Sequence, residues 1–156
     1  MKYFFGLALP LYIVDQVTKY LSAKYITFGD SMTVIPGFFD VVHYTNTGAA
    51  FGMLQNQKYF FVVLAVVALI ALVILKARGA FTTMAESIAW ALLISGVAGN
   101  LTDRLFRGSV VDFLDFTLPI YGHWPAFNIA DSCICVAAAL LIWASFFGSK
   151  EVVKGQ

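Results

Sequence analysis

Four long apolar segments dominate the pattern of hydrophobic and polar positions along the chain. They cover approximately residues 4–23, 59–75, 84–102 and 125–148. A helix needs about 20 mostly apolar residues to cross a lipid bilayer. The pattern therefore predicts an all-α membrane protein, a four-transmembrane-helix bundle that forms a single integral membrane domain over residues 1–156.

The composition agrees with a membrane location. The chain is 60% hydrophobic and only 12% charged, whereas soluble chains carry roughly 25% charged residues. A soluble domain of this length could not bury so much apolar surface. The net charge is +1, with no long run of like charges, which argues against a nucleic-acid partner.

The connection between the first two apolar segments has a different pattern. Residues 33–35 and 38–44 are rich in β-branched and aromatic side chains, and Pro36-Gly37 between them is a turn signal. Such a pattern is typical of a β hairpin. We expect approximately residues 25–57 to form a small β subdomain on the membrane surface.

The unusual polar residues of the apolar segments gather at one membrane face. In a four-span bundle, the ends of spans one and three and the starts of spans two and four meet at that face. The residues concerned are Asp15, Lys19, Asn100, Asp103, Arg104, Asp112, Asn128 and Asp131. An ionisable group near the middle of a span costs roughly 2.5–3.5 kcal/mol, so this gathering indicates a functional site. Glu86, at the other face, is the exception.

Asp131 has the pattern of one half of an acid–base pair. It lies inside the fourth segment with no cation nearby in sequence, and burial of a lone carboxylate favours its protonated form. Asp112 and Asp115 are the candidates for the second carboxylate. In an extended segment they point to opposite sides, so only one can face the bundle. Two carboxylates that share a proton can activate water, as in aspartic peptidases.

Two other groups of polar residues permit a structural or a functional interpretation. Asp15 and Lys19 are spaced i,i+4 and can form an ion pair, either for stability or in support of a site. Asn100, Asp103 and Arg104 share one helix face, which fits a packed, hydrogen-bonded interface as well as a site.

The cysteine and histidine residues do not indicate a metal site or a further reactive group. No His, Cys, Asp and Glu set has metal-ligand spacing, so neither a metal nor another cofactor is expected. Cys133 and Cys135 point in nearly opposite directions on a helix and are interpreted as packing residues. His43 and His123 are expected to be interfacial, without a chemical role.

Two competing functions fit the polar residues less well. The aspartates near residues 103–115 resemble those of metal-dependent phospholipid synthases, but the wider spacing of that family is missing. A proton-conducting bundle could use Asp15 and Asp131. Its polar residues should occur at several depths, whereas here they stop on one side and the second segment has none.

Five motifs occur together between residues 15 and 132. They are Asp15-Gln16-Val17-Thr18-Lys19, Asn46-Thr47-Gly48-Ala49-Ala50-Phe51, Gly99-Asn100-Leu101-Thr102-Asp103-Arg104, Val110-Val111-Asp112-Phe113 and Phe127-Asn128-Ile129-Ala130-Asp131-Ser132. In this order and spacing, the chain resembles the lipoprotein signal peptidases, or signal peptidase II family. The resemblance implies an aspartic endopeptidase that removes signal peptides from prolipoproteins whose cysteine carries a diacylglyceryl group.

The resemblance also implies roles for individual residues and partners. Asp112 and Asp131 would be the catalytic dyad. Substrate-binding and support roles would fall to Asp15, Lys19, Asn46, Gly48, Asn100, Asp103, Arg104 and Asn128. The partners would be prolipoproteins with diacylglyceryl-cysteine and membrane lipids, without a cofactor, and the enzyme would be a monomer.

The resemblance further implies an arrangement in the bacterial inner membrane. Both termini would be cytoplasmic and the site would lie near the periplasmic face, under a β cradle at 24–58 and a mobile segment at 112–124. The ten Lys and Arg residues divide equally between the two sides. They favour cytoplasmic termini only when Lys19 and Arg104 are set aside as site residues.

Overall fold

The computed structural model describes residues 2–48, 54–120 and 122–147. Ala49, Ala50 and Phe51 of the second motif, and the predicted end of the fourth helix at Gly148, lie outside these residues. In the described part of the chain there are four long helices. They are α1 (Leu9–Tyr25), which a π-helical turn (Phe4–Ala8) precedes directly, α2 (Lys58–Ala77), α3 (Met84–Phe106) and α4 (Ile129–Phe147).

Three of these described helices, α2, α3 and α4, are long and apolar enough to cross a membrane. α1 has 17 residues and contains Asp15, Lys19 and Lys24, and it is not among the three. The prediction of a helical membrane protein is confirmed. That the first helix also crosses the membrane remains a prediction, as does the division of the whole chain into one domain.

Two helix boundaries lie about four residues from the predicted ones. α3 continues to Phe106, so that Arg104 is still helical. α4 begins at Ile129, and not near residue 125, because Phe127 forms an antiparallel bridge with Leu114. Glu86 has a structural role at the start of α3, because it forms a reciprocal capping box with Thr83.

Four strands are present in the described residues, in the antiparallel order β1-β2-β3-β4. They are β1 (Ser31–Ile35), β2 (Phe39–Asn46), β3 (Val110–Leu118) and β4 (Gly122–His123). The predicted β1–β2 hairpin is confirmed, and Gly37 in its turn adopts the positive φ of 72° that favours glycine. β3 joins this hairpin from the connection between α3 and α4, so the sheet combines strands from two different connections of the bundle.

α3 is the helix against which the others pack. It has more buried residues than any other described helix. Gly96 and Gly99 allow this packing, because a Cβ atom at Gly96 would overlap Ala130 and Ile134 of α4. A Cβ atom at Gly99 would lie 2.6 Å from Asp15 Oδ2. The small residues therefore bring α1, α3 and α4 together at the level of Asp15.

Candidate active site

The carboxylates of Asp112 and Asp131 line one cavity, although they lie on different elements. Asp112 is the third residue of β3 and is 4% exposed. Asp131 lies in the first turn of α4. The extended conformation of β3 brings Asp112 to this cavity and directs Asp115 to His123, whose Nδ1 is 3.2 Å from Asp115 Oδ2.

One asparagine contacts both of these aspartates. Asn128 directly precedes α4, and its Oδ1 accepts a hydrogen bond of 2.9 Å from the backbone N–H of Asp131. This contact orients the amide so that Nδ2 donates to Asp112 Oδ1 at 2.7 Å. The asparagine is fully buried. It fixes the carboxyl of Asp112 relative to the first turn of α4.

A second asparagine is oriented by a buried lysine. Lys19 Nζ forms ion pairs with Asp15 Oδ2 and Asp103 Oδ2, both at 3.0 Å. It also donates to Asn100 Oδ1 at 2.9 Å. An ammonium group can only donate hydrogen bonds, so the amide oxygen must face the lysine. The amide nitrogen then donates to Asp131 Oδ1 at 2.7 Å.

The two supporting carboxylates also bind the backbone beside the cavity. Asp15 Oδ1 accepts a hydrogen bond of 2.9 Å from the N–H of Ala130. Asp103 Oδ2 accepts one of 3.2 Å from the N–H of Val111. Ala130 and Val111 directly precede the two cavity aspartates in the sequence. The buried ion pairs thus position the chain on both sides of the cavity.

A third set of contacts closes the cavity from the loop after β2. Arg104 Nη2 donates to the carbonyl oxygen of Gly48 at 2.9 Å, and its guanidinium lies 4.9 Å from the ring centroid of Phe61. Asn46 Oδ1 accepts a hydrogen bond of 2.9 Å from the N–H of Gly48. The side chain of Asn46 also hydrogen-bonds Asp112.

The cavity has a volume of about 520 Å³. Its polar lining includes Asn46, Asn100, Arg104, Asp112 and Asp131, and its apolar lining includes Val110, Trp124, Phe127, Ile134 and Val136. It is therefore an acidic centre with an apolar extension along α4.

Burial is the main cause of an unusual pKa at Asp112. Together with the nearby negative charge of Asp131, it raises the pKa of Asp112 from 3.8 to about 7. Hydrogen bonds from Asn128 and Asn46 oppose this shift. At neutral pH the carboxyl of Asp112 therefore keeps its proton for part of the time, as a proton-sharing acid–base pair requires.

The structure brings together all ten residues predicted for the site. Six of them line the cavity: Asp112, Asp131, Asn46, Gly48, Asn100 and Arg104. The other four, Asp15, Lys19, Asp103 and Asn128, bind those lining residues or the backbone directly next to them. No group of three or more His, Cys, Asp and Glu side chains among the described residues could hold a metal ion.

The interpretation of Cys135 as a packing residue is wrong. Cys133 is buried, but Cys135 is exposed and lines the cavity. Its position four residues after Asp131, on the same helix face, could have indicated this. Trp124 and Phe127 were also missed, because their place in the cavity depends on pairing between the loop before α4 and β3.

Fold and site together define a helical membrane protein with an acidic cavity where helix ends meet a small antiparallel sheet. The family model described as "Signal peptidase (SPase) II" matches residues 7–147. The chain belongs to the signal peptidase II family, and is thus a membrane peptidase of lipoprotein processing.

Individual relatives agree with this membership over most of their length. The chain is 38% identical to a lipoprotein signal peptidase of Brevibacillus brevis, with 96% of this chain and 98% of the relative covered. It is 40% identical to one of Staphylococcus aureus, with 92% and 90% covered. A solved bacterial membrane enzyme superposes with a TM-score of 0.86 at 37% identity, over 97% of this chain and 92% of that one.

Proposed function

We propose that the chain is an aspartic endopeptidase that removes the signal peptide from prolipoproteins carrying a diacylglyceryl-modified cysteine, cleaving directly before that cysteine. Asp112 and Asp131 are its catalytic dyad. The observation that carries the proposal is the pair of carboxyl groups in one cavity, each held through Oδ1 by an asparagine N–H. Two fixed carboxyl groups that share one proton are the minimum that aspartic peptidase chemistry requires.

The reaction uses the different protonation of the two groups. Asp112, with its raised pKa, holds the shared proton and donates a hydrogen bond to the scissile carbonyl oxygen. Ionised Asp131 removes a proton from the water that attacks the carbonyl carbon. The tetrahedral intermediate then expels the amine of the modified cysteine, which takes a proton from the dyad. The products are a carboxylic acid and an amine, and the dyad again holds one proton.

The shape of the cavity suits a substrate that is partly in the membrane. Ile134 and Val136 extend its lining along α4, away from Asp131. An apolar signal peptide can lie against this lining while its end reaches the dyad. Arg104 and Asn46 offer polar groups to the peptide backbone at that end.

The lipid of the substrate has a physical role in this proposal. Its acyl chains hold the modified cysteine at the membrane surface, where burial contributes about 0.8 kcal/mol per CH₂ group. The dyad lies where the ends of α1 and α3 and the start of α4 meet the sheet. Here α1 forms a fourth span, the termini are cytoplasmic, and the acidic cavity faces the outer surface of the bacterial cytoplasmic membrane.

The proposal is tested by incubating the purified protein with the same precursor in two forms, with and without the diacylglyceryl group. We expect cleavage directly before the modified cysteine and little cleavage of the unmodified form, measured by mass spectrometry of the products. Strong chelation should leave the rate unchanged. Equal cleavage of both forms, or a loss of activity with EDTA that a divalent ion restores, would contradict the proposal.

A further inference from the structure

A second polar recess lies on the other face of the sheet from the dyad. Val110 and Asp112 line the dyad cavity, whereas Val111 between them lines this recess. In β2, Asn46 belongs to the cavity and Thr45 to the recess. Successive side chains of a strand point to opposite faces, so the two sites are separated by the sheet.

The recess has the chemistry of an anion site. It has a volume of about 380 Å³, and its polar lining consists of Tyr20, Lys24, His43, Thr45, Arg107 and Ser109. None of the described residues that line it is acidic. Two permanent cations and three hydroxyl groups therefore face a common space without a carboxylate among them.

The two cations of the recess, Lys24 and Arg107, differ in how far carboxylates neutralise them. Lys24 Nζ lies 5.6 and 5.3 Å from the ring centroids of Tyr20 and Tyr25, and no carboxylate among the described residues forms an ion pair with it. Arg107 Nε is 3.5 Å from Asp103 Oδ1. However, Asp103 is already paired with Lys19 at 3.0 Å. Lys19 is also paired with Asp15 at 3.0 Å, so two carboxylates serve Lys19 and Arg107, and the charge of Lys24 remains for a ligand.

The position of the recess indicates the source of the anion. It lies at the ends of α1 and α3, where Tyr25 and Phe106 are strongly exposed. Leu21, one turn before Tyr25, and Leu105, directly before Phe106, are also exposed and apolar. Basic and aromatic side chains at helix ends, next to apolar ones, are typical of the headgroup level of a membrane. A ligand here would have its anionic group in the recess and its chains beside the helices.

We propose that this recess binds the phosphate headgroup of an anionic membrane phospholipid. Lys24 and Arg107 contact the phosphate, and Tyr20 and Ser109 donate hydrogen bonds to its oxygens or to a headgroup hydroxyl. The bound lipid lies against α1 and α3 outside the dyad cavity. The site is independent of the peptidase reaction and needs only that these two helix ends lie at the membrane surface.

The test is native mass spectrometry of the purified protein with phosphatidylglycerol or phosphatidylcholine added to the detergent. The wild type should retain one phosphatidylglycerol, and Lys24→Gln combined with Arg107→Gln should weaken its binding about tenfold. The matched control, Lys58→Gln with Arg78→Gln, removes one lysine and one arginine at helix ends outside the recess. It should bind phosphatidylglycerol like the wild type.

Several results would overturn the proposal. Equal retention of phosphatidylglycerol by the wild type and the Lys24/Arg107 variant would do so, as would an equal loss in the Lys58/Arg78 control. Displacement of the lipid by excess inorganic phosphate would indicate a site for free anions instead. If the Lys24/Arg107 variant does not fold, Thr45→Asp replaces it. This change adds a carboxylate at an exposed position of the recess, and unchanged lipid binding by it would also overturn the proposal.

Discussion

At the scale of single residues, the acidic centre depends on amide groups whose orientation is not free. Lys19 and the N–H of Asp131 each contact an amide oxygen, of Asn100 and Asn128 respectively. Each contact leaves the NH₂ group of the same side chain facing a carboxyl group. An unpaired buried carboxylate would be costly, so these donors both stabilise the site and direct its chemistry.

Changing Asn100 to Asp tests this orientation. The new carboxylate can pair with Lys19 Nζ, which now lies 2.9 Å from Asn100 Oδ1, so the variant should fold. It loses the N–H donor to Asp131 and adds a negative charge beside it. Both changes impair Asp131 as a general base, a contribution of about 10²–10⁴-fold, and a rate assay on lipidated precursor should show a decrease of this order.

Asn56→Asp is the matched control for Asn100→Asp. It makes the same chemical change at an exposed loop residue outside the cavity, so its rate should equal that of the wild type. A folded Asn100→Asp protein with the wild-type rate would contradict the orienting role of Lys19.

The raised pKa of Asp112 predicts the pH dependence of cleavage. The reaction needs the proton that the dyad shares. Because the pKa of Asp112 is about 7, this proton is lost as the pH rises through neutrality. kcat/KM for the lipidated precursor should therefore decrease above about pH 7. A rate that stays constant up to pH 9 would contradict the assignment of the proton to Asp112.

The raised pKa of Asp112 also makes the stability of the folded state depend on pH. Below about pH 3.8 the carboxyl of Asp112 is protonated in both the folded and the unfolded chain. Between that value and about 7 the folded state holds the extra proton, so stability decreases as the pH rises through this window. Asp112→Asn removes this dependence. Thermal melts should show a smaller decrease in Tm between pH 4 and pH 8 for the variant than for the wild type.

At the scale of helices and strands, close packing of α1, α3 and α4 brings the supporting carboxylates to the cavity. Much of this was predictable, because the apolar segments, the Pro36-Gly37 turn and the i,i+4 spacing of Asp15 and Lys19 are local patterns. The place of β3 beside β2 was not, since pairing between Asn46 and Val110 joins residues far apart in the chain. The lining of the cavity by Trp124 and Phe127 depends on a further pairing, between the loop before α4 and β3.

Gly99→Ala tests the packing of these helices. Its Cβ atom would lie 2.6 Å from Asp15 Oδ2 and 3.2 Å from Ala130 Cβ. Asp15 cannot move easily, because it is held by Lys19 and by the N–H of Ala130. Overpacking of this kind costs roughly 1–3 kcal/mol, so a thermal melt should show a lower Tm, and cleavage should be slower.

Gly6→Ala is the control for Gly99→Ala. A Cβ atom at Gly6 has nothing within 4 Å, so the melting temperature should change little. If Gly99→Ala is as stable as Gly6→Ala, α1 and α3 do not approach each other as closely as described.

At the scale of the whole molecule, the arrangement in the membrane follows from whether α1 crosses it. α2, α3 and α4 have the length and hydropathy of spans, whereas α1 has a polar half that faces Asn100 and Asp103. A crossing by α1 would place the β1–β2 hairpin on the opposite side of the membrane from the N-terminal end of α1, and the crossing by α2 then returns the loop between α2 and α3 to the first side. With the cytoplasmic termini proposed above, the hairpin and the dyad would then lie at the outer surface.

Reporter fusions test this arrangement. A reporter after Phe38, in the turn of the hairpin, should give an extracytoplasmic signal, and one after Ala80, between α2 and α3, a cytoplasmic signal. A reporter after Lys150, which lies outside the described residues, should also give a cytoplasmic signal if the termini are cytoplasmic. The reverse pattern, or the same side for Phe38 and Ala80, would contradict the proposed position of the cavity.

The central claim is that Asp112 and Asp131 act as one catalytic unit, and the cleavage rate of lipidated precursor by asparagine variants tests it most directly. Asp112→Asn and Asp131→Asn should each lower the rate by at least about 10²–10⁴-fold. The double variant should be hardly slower than either single variant, because residues that act as a unit fail together.

Asp115→Asn is the matched control, since Asp115 is a buried aspartate of the same strand that contacts His123 and not the cavity. With folding verified by thermal melts, we expect this control to cleave at close to the wild-type rate while the Asp112 and Asp131 variants do not. A well-folded Asp112→Asn or Asp131→Asn protein that cleaves as fast as Asp115→Asn would show that the dyad is not the catalyst.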